Sequence, residues 1–170
     1  MLFRSGLGNR TNYSSPKQVG ALTNWSSIAN GYYYTLAIKT DGTLWAWGYN
    51  YLGELGLGNR TYYSSPKQVG ALTNWSKITS GYTDSILAIK TDGTLWAWGY
   101  NTQGQLGLGS TTYYITSPVQ VGAGTTWSNI ATGYYNTLAT KTDGTLWSWG
   151  YNGQGQLGLG NTTNYSSPKQ

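Results

Sequence analysis

The 170-residue sequence contains no cysteine and no histidine. That excludes disulfides, thiolate nucleophiles, Cys/His zinc sites and imidazole acid–base chemistry from the protein's own side chains. It leaves the compartment open, since oxidising and reducing surroundings both tolerate a chain without thiols. Charge is scarce: only 9% of residues are Asp, Glu, Lys or Arg, which suits short strands better than long exposed helices. The net charge of +5 never gathers into a run, so there is no specific nucleic-acid signal. No apolar run approaches the roughly 18 residues of a spanning helix, and no membrane association is expected. The opening Met1-Leu2-Phe3-Arg4-Ser5-Gly6 enters repeat sequence without room for a secretory signal. The expectation is a soluble chain, or one component of a larger particle, with no cofactor.

What the chain has in quantity is glycine, with 25 residues, and aromatics, with 9 Trp and 16 Tyr. Such rings bury large areas while keeping a polar handle at the rim. They recur with a fixed period. Trp45-Ala46-Trp47-Gly48, Trp96-Ala97-Trp98-Gly99 and Trp147-Ser148-Trp149-Gly150 stand 51 residues apart, as do Leu55-Gly56-Leu57-Gly58, Leu106-Gly107-Leu108-Gly109 and Leu157-Gly158-Leu159-Gly160. A truncated fourth copy lies at Gly6-Leu7-Gly8-Asn9. One extra residue enters around Thr83 to Leu87 and another between Thr111 and Thr116, both expected in turns or at a bulge. The chain reads as a single array, residues 1–170, with approximate units 1–18 (partial), 19–69, 70–121 and 122–170.

Within a unit, Thr35–Lys39 and Thr43–Trp47 read as strands joined across Thr40-Asp41-Gly42, a tight-turn sequence repeated at Asp92-Gly93 and Asp143-Gly144. On the second strand Trp45 and Trp47 face one way and Leu44 and Ala46 the other, because strand side chains alternate. Both faces are apolar, as in sheets covered on both sides by neighbours. A third strand is predicted at Trp25–Ala29, matched by Trp75–Thr79 and Trp127–Ala131, and a fourth around Lys17-Gln18-Val19. The fold class is therefore all-β: β-propeller blades of about 51 residues, three complete units plus partial terminal repeats.

The composite pattern resembles the regulator-of-chromosome-condensation repeat family across essentially the whole chain. It consists of Gly-x-x-x-(Thr/Ser)-(x)-Leu-Ala, Thr-Asp-Gly-Thr-Leu-Trp-(Ala/Ser)-Trp-Gly and Asn-x-x-Gly-x-Leu-Gly-Leu-Gly. The resemblance implies a propeller of four-stranded blades, commonly about seven in a closed ring. The family often has His after the glycine-led turn, where this chain places Tyr34, Asp84 and Asn136. Exchange factors of the family use extra loops on one propeller face, and no such insertion occurs here. Relatives inhibit enzymes, bind regulatory proteins or serve as repeated modules, so the fold does not transfer one activity.

The structural repeat residues Trp45, Trp47, Gly48, Trp96, Trp98, Gly99, Trp147, Trp149 and Gly150 are read as interblade packing rather than sugar platforms, since they share one phase of every unit. Tyr13, Arg60, Tyr62, Tyr63, Tyr113, Tyr114 and Tyr165 occupy the variable polar connection, where they either form a recognition loop or cover the blade edge. A second tyrosine group, Tyr32, Tyr33, Tyr34, Tyr82, Tyr134 and Tyr135, follows Gly31, Gly81 and Gly133. There Tyr34, Asp84 and Asn136 are candidates for a polar pocket at the central opening or one mouth, with inner-strand hydrogen bonding as the alternative. Asp41, Asp92 and Asp143 sit one per unit at hairpin turns and read as turn caps, not calcium ligands. Glu54 replaces the Gln of Gln105 and Gln156, and no pair of carboxylates suggests a glycosidase. The glycine-rich Gly53–Gly58 lacks the Lys and Ser/Thr of a phosphate loop. Arg10, Arg60, Lys17, Lys67 and Lys169 are spaced as solubilising charges, or as contacts to an acidic surface. No metal ligands and no catalytic residues are expected.

The function expected is a noncatalytic repeat-propeller module for protein binding or assembly; the alternative is a carbohydrate-binding module. A closed ring needs at least about four blades, and neither end looks like a polar cap. Exposing ~200 Å² of apolar surface at each end would forgo on the order of 10 kcal/mol, an upper figure comparable with a domain's whole stability. The expected partner is therefore the chain itself, as a head-to-tail homodimer, or a larger repeat-containing assembly.

Overall fold

A computed structural model describes residues 6–9 and 11–170. Every regular element among them is a β-strand, and twelve strands form three four-stranded antiparallel sheets. The first blade comprises β1 (Trp25–Asn30), β2 (Tyr34–Lys39), β3 (Leu44–Gly48) and β4 (Tyr63–Gln68). The second comprises β5 (Trp75–Ser80), β6 (Ser85–Lys90), β7 (Leu95–Tyr100) and β8 (Tyr114–Gln120). In the third are β9 (Trp127–Thr132), β10 (Asn136–Lys141), β11 (Leu146–Gly150) and β12 (Tyr165–Lys169). Strand order follows chain order in each blade. β1, β5 and β9 contact one another between blades and are the inner strands; β4, β8 and β12 are the outer ones.

Register assigns each connection to an end. Tyr34 at the start of β2 pairs with Gly48 at the end of β3, so the β1–β2 turn and the long β3–β4 loop open at the same end. The Asp-Gly hairpin turns lie at the other. There, Asp41 caps its turn by accepting the Thr43 amide (2.9 Å) and hydroxyl (2.6 Å). The carbonyl of Gly42 accepts the backbone N–H of Trp75 at 3.1 Å, and Gly93 does the same for Trp127 at 3.0 Å, so each hairpin turn holds the start of the next blade's inner strand. Gly42 has φ +78, and a Cβ there would meet the Thr73 carbonyl at 2.0 Å, so only glycine fits this interblade clasp.

Two apolar clusters fill the seams between blades. In the first, Leu36, Ile38, Leu44 and Ala46 of blade one pack on Trp75, Ile86, Ala88 and Trp98 of blade two. In the second, Leu87, Ile89, Leu95 and Ala97 of blade two pack on Trp127, Ala139 and Trp149 of blade three. Alternation along β6 and β7 thus delivers one set of side chains to each neighbour, and all six residues of β6 are buried. The outward faces of the outer blades are open. Ile28 is 75% exposed where its counterpart Ile78 is 9%, and Leu146 is 55% exposed where Leu44 and Leu95 are fully buried.

Three local expectations change. Lys17–Val19 forms no strand, whereas its counterparts lie in or directly follow β4 and β8. Those strands pair with the Trp-x-Trp strand of their own blade, and the described residues before Lys17 include no such partner. The loop assigned to Tyr63, Tyr114 and Tyr165 is already strand: these residues begin β4, β8 and β12. The extra residue of the second unit falls in the turn before β6, so that Ser85, not Asp84, pairs with Gly99 as Tyr34 pairs with Gly48 and Asn136 with Gly150.

Candidate functional site

The end that carries the β1–β2 turns and β3–β4 loops is built on one buried asparagine per blade. Asn50, Asn101 and Asn152 are fully buried directly after Trp-Gly-Tyr. The Oδ1 of each accepts a loop amide, from Leu55 (2.9 Å), Leu106 (3.0 Å) and Leu157 (2.9 Å). Each Nδ2 donates to a carbonyl further along the loop, at Asn59, Ser110 or Asn161. A short polar side chain thereby fixes a loop of irregular backbone that has no ladder of its own. The loop in turn receives the following blade. Trp98 Nε1 donates to the Glu54 carbonyl and Trp149 Nε1 to the Gln105 carbonyl, both at 2.9 Å.

On this scaffold members of the two tyrosine groups, which the sequence separates, join Tyr49, Tyr51 and Tyr100 in one surface. Tyr32 meets Tyr33 at 4.4 Å, Tyr33 meets Tyr49 at 6.0 Å, and Tyr49 meets Tyr62 at 4.8 Å and Tyr51 at 6.3 Å. The Arg60 guanidinium bridges blades, 4.3 Å from the Tyr51 ring and 5.0 Å from Tyr114, and donates to the Tyr51 carbonyl. From Tyr114 the contacts pass through Tyr113 (5.6 Å), Tyr100 (5.5 Å), Tyr135 (6.2 Å) and Tyr134 (4.6 Å). Tyr82 stacks on Tyr134 at 5.1 Å and meets Tyr32 at 6.0 Å, closing the circuit. Tyr32, Tyr82 and Tyr134 are each more than half exposed. Tyr13 and Tyr165 lie apart, each paired through its hydroxyl with a nearby asparagine, Asn9 or Asn161. Tyr63 lies under Lys67. Arg10 lies outside the described residues.

The polar-pocket candidates divide. Tyr34 is buried between blades one and two, with its hydroxyl 2.7 Å from Ser80 Oγ, in the position of a seam residue. Burial, with Asp84 nearby, drives its phenol well above the ordinary range. Asn136 is half-buried in the corresponding position of blade three. Asp84 is the inserted turn residue, at φ 60, and the carbonyl it presents accepts Tyr100 N–H at 3.0 Å. Its carboxylate accepts no hydrogen bond and meets no Lys or Arg among the described residues, and desolvation lifts it to about 6. Glu54 is fully buried, takes the Leu52 amide on Oε2 at 2.8 Å and leaves Oε1 without a partner. Desolvation lifts it to about 7, with a smaller push from Asp84.

The opposite end carries a motif that sequence reasoning missed. The Lys39, Lys90 and Lys141 ammonium groups lie 3.8, 3.5 and 3.9 Å from the rings of Trp45, Trp96 and Trp147. Trp25, Trp75 and Trp127 flank them at 5.1, 4.8 and 4.9 Å. Each is a cation held between indoles, strongest where it is desolvated. The signal was available, since a lysine precedes every Thr-Asp-Gly. Among the described residues no group of three carboxylates, or of other metal-ligating side chains, is placed to hold a metal ion. No helix there is long and apolar enough to cross a membrane.

Stacked four-stranded blades, with the Trp-x-Trp strands of the second and third docking an indole on the preceding blade's loop, define a segment of a β-propeller. The chain belongs to the Regulator of chromosome condensation (RCC1) repeat family, whose profile matches residues 41–87, 92–140 and 143–170. A second profile of the same description matches 25–54, 75–105 and 127–156, beginning at each inner-strand tryptophan. The chain is 32% identical over 169 residues to the ultraviolet-B receptor UVR8 of Arabidopsis thaliana, covering 96% of this chain and 38% of that protein. It is 32% identical over 165 residues to the RCC2 homolog of Xenopus laevis, covering 94% and 32%. Prp20p of Saccharomyces cerevisiae superposes with a TM-score of 0.82 at 22% identity, over 98% of this chain and 43% of the other. The chain thus spans about two fifths or less of these relatives.

Proposed function

We propose that this chain is a noncatalytic segment of an RCC1-repeat propeller whose tyrosine-lined end is its surface for a protein partner. The observation that carries the reading is the circuit of tyrosine rings closed through Arg60, with the three rings of the β1–β2 turns more than half exposed and the neighbouring β3–β4 loops pinned from below by buried asparagines. Rigid aromatic rings give large contact area at low entropic cost and dominate protein interfaces. Binding studies of yeast Prp20p concern Gsp1p and histones, and the same protein is known bound to Kap60, which supports protein recognition as the family's use of this fold. A hydrolytic role gains no support from Glu54 and Asp84, since Glu54 is sealed from solvent.

Ring completion belongs to the same proposal. The open faces at Ile28 and Leu146 call for further blades, from a second copy joined head to tail or from a larger assembly. Residues 6–9 already rest on blade one as the preceding loop rests on the other blades: Gly8 N–H reaches the Ser64 carbonyl at 2.9 Å, as Gly58 reaches Thr116 and Gly109 reaches Ser166. A head-to-tail copy must therefore displace either this segment or its own equivalent, 158–160. Capture from source-cell extract tests the partner surface. A chain carrying Tyr32→Ala, Tyr82→Ala and Tyr134→Ala should lose the proteins that the unaltered chain retains, while Asp92→Asn at the opposite end keeps them. Equal retention by both contradicts the reading, and glycans recovered in place of proteins would favour a carbohydrate module.

A further inference from the structure

We propose that the open faces of blades one and three are two halves of one interblade contact, completed when a second copy of this chain seats its third blade on the first. The inference rests on the ring completion proposed for the chain and names the groups that meet. The two internal seams supply the template. At each, a hairpin glycine and a loop glycine of one blade receive the next. Gly42 and Gly93 lie against the Thr73 and Thr125 carbonyls, and a Cβ on Gly56 or Gly107 would come within 2.9 or 2.7 Å of the Trp98 or Trp149 indole nitrogen. Their blade-three counterparts, Gly144 and Gly158, keep the same left-handed backbone, at φ +83 and +71, with nothing within 4 Å of the place a Cβ would take. Gly155 is bare in the same way, where Gly53 and Gly104 touch the next blade's outer strand at Thr116 and Ser166.

Blade one lacks what these groups offer. Trp98 and Trp149 donate to the Glu54 and Gln105 carbonyls, but the Trp47 indole nitrogen is buried without an acceptor among the described residues. Gln156 is the third member of that carbonyl set. The amides of Trp75 and Trp127 reach the Gly42 and Gly93 carbonyls, and no described hairpin turn precedes Trp25 to serve its amide. The Gly144 carbonyl of a second copy would serve it. Between Trp25 and Trp47 a groove of about 360 Å³ opens along Ile28, Ala29 and Ala37. At the first seam the matching residues of blade two, Ile78 and Trp98, pack with Leu36 and Leu44. Blade three offers Leu138 and Leu146 in those positions, the second of them more than half exposed. The polar Ser148 beside them brings no orphaned donor into the contact, because its hydroxyl already donates to the Leu157 carbonyl at 2.8 Å.

Residues 6–9 stand where the second copy's loop belongs, with Gly8 N–H on the Ser64 carbonyl at 2.9 Å. They are the part that gives way. Loop 152–161 is pinned by Asn152 and leads into β12, whereas residues 13–18 form no strand. Gly160 of the copy then takes the Ser64 carbonyl, as Gly58 and Gly109 take those of Thr116 and Ser166. The contact is heterologous, so every copy carries both halves of it, and residues 6–9 act as a plug that competes with assembly.

Sedimentation equilibrium of the full chain, from about 1 to about 100 μM, tests the contact. The apparent mass should rise with concentration from one chain towards two. Gly144→Asn keeps the turn, since asparagine tolerates positive φ, but sets a Cβ against the Thr23 carbonyl of the second copy, and should weaken association at least about tenfold. Gly122→Asn should associate like the unaltered chain, because Gly122 and its counterparts Gly20 and Gly70 all face open space. Gly8→Pro removes the N–H that holds the plug and should strengthen association about fivefold. A chain that stays single at about 100 μM, undiminished association in Gly144→Asn, or weaker association in Gly8→Pro overturns the assignment. A single chain that still captures proteins through its tyrosines would leave the partner surface standing and remove this contact.

Discussion

The two seams of this molecule are built from nearly the same sequence and differ in what lines them at the tyrosine end. Both place an indole N–H of the following blade on a loop carbonyl at 2.9 Å. Both bury leucine, isoleucine and alanine against tryptophan. Between blades one and two, however, the polar positions hold Glu54, Tyr34 and the inserted Asp84. Between blades two and three they hold Gln105, Ser85 in the position of Tyr34, and Thr137, whose hydroxyl donates to the Gln105 carbonyl at 2.8 Å. Packing is thus repeated from blade to blade, while the carboxylates of the tyrosine end lie at the first seam and Lys77 crosses the second to Ser128 and Asn129. The difference teaches that the repeat fixes the fold and that single departures from it mark where the chain is individual.

The shared part of the comparison predicts the largest effect. Trp98→Ala and Trp149→Ala remove fully buried indoles with the same hydrogen bond, and each should cost about 3–5 kcal/mol. Urea unfolding of the two variants should give losses that agree within about 1 kcal/mol. A much larger loss for Trp98→Ala would show that the first seam depends on its tryptophan in a way the second does not.

The unshared part predicts a smaller, pH-dependent effect. Glu54 titrates at about 7 in the folded chain against an ordinary 4.5, so the folded state holds a proton that the unfolded state releases. Its contribution is therefore most favourable below about pH 4.5 and is lost as pH rises towards 7. Above that, a buried carboxylate oxygen without a partner is charged. Glu54→Gln, which gives the first seam the residue of the second, should raise stability at pH 8 by on the order of 2 kcal/mol and change it little at pH 4. Thermal unfolding at the two pH values measures this, and an equal shift at both would separate the effect from ionisation.

Much of the architecture was legible because the repeat writes each statement three times. The Asp-Gly turns, the strands on either side and the two apolar faces of the Trp-x-Trp strand follow from alternation and turn chemistry alone. The buried Asn50, Asn101 and Asn152 were equally repeated, directly after Trp-Gly-Tyr, but an asparagine in a glycine-rich loop reads as ordinary turn chemistry until its burial is known. Placement of the extra residue among Gly81–Ser85 was not legible. Asp84 and Ser85 both fit the polar position by type, and only strand register shows that Ser85 takes it and Asp84 is pushed into the turn. The union of the two tyrosine groups depends on which connections share an end, a consequence of antiparallel order that no local motif states. The open faces differ in a way that repetition also reveals. Blade three places Thr140 and Ser148 where Ile38 or Ile89 and Ala46 or Ala97 stand in the others, so its outward face is the more polar.

Site-specific photo-crosslinking tests the tyrosine end as a partner surface most directly. One chain carries a photoreactive phenylalanine analogue at Tyr82, and a parallel chain carries it at the exposed Thr91 on the opposite end. In source-cell extract the account predicts covalent adducts with protein from position 82 and none from position 91. Adducts from position 91 alone, or none from either position, would contradict it.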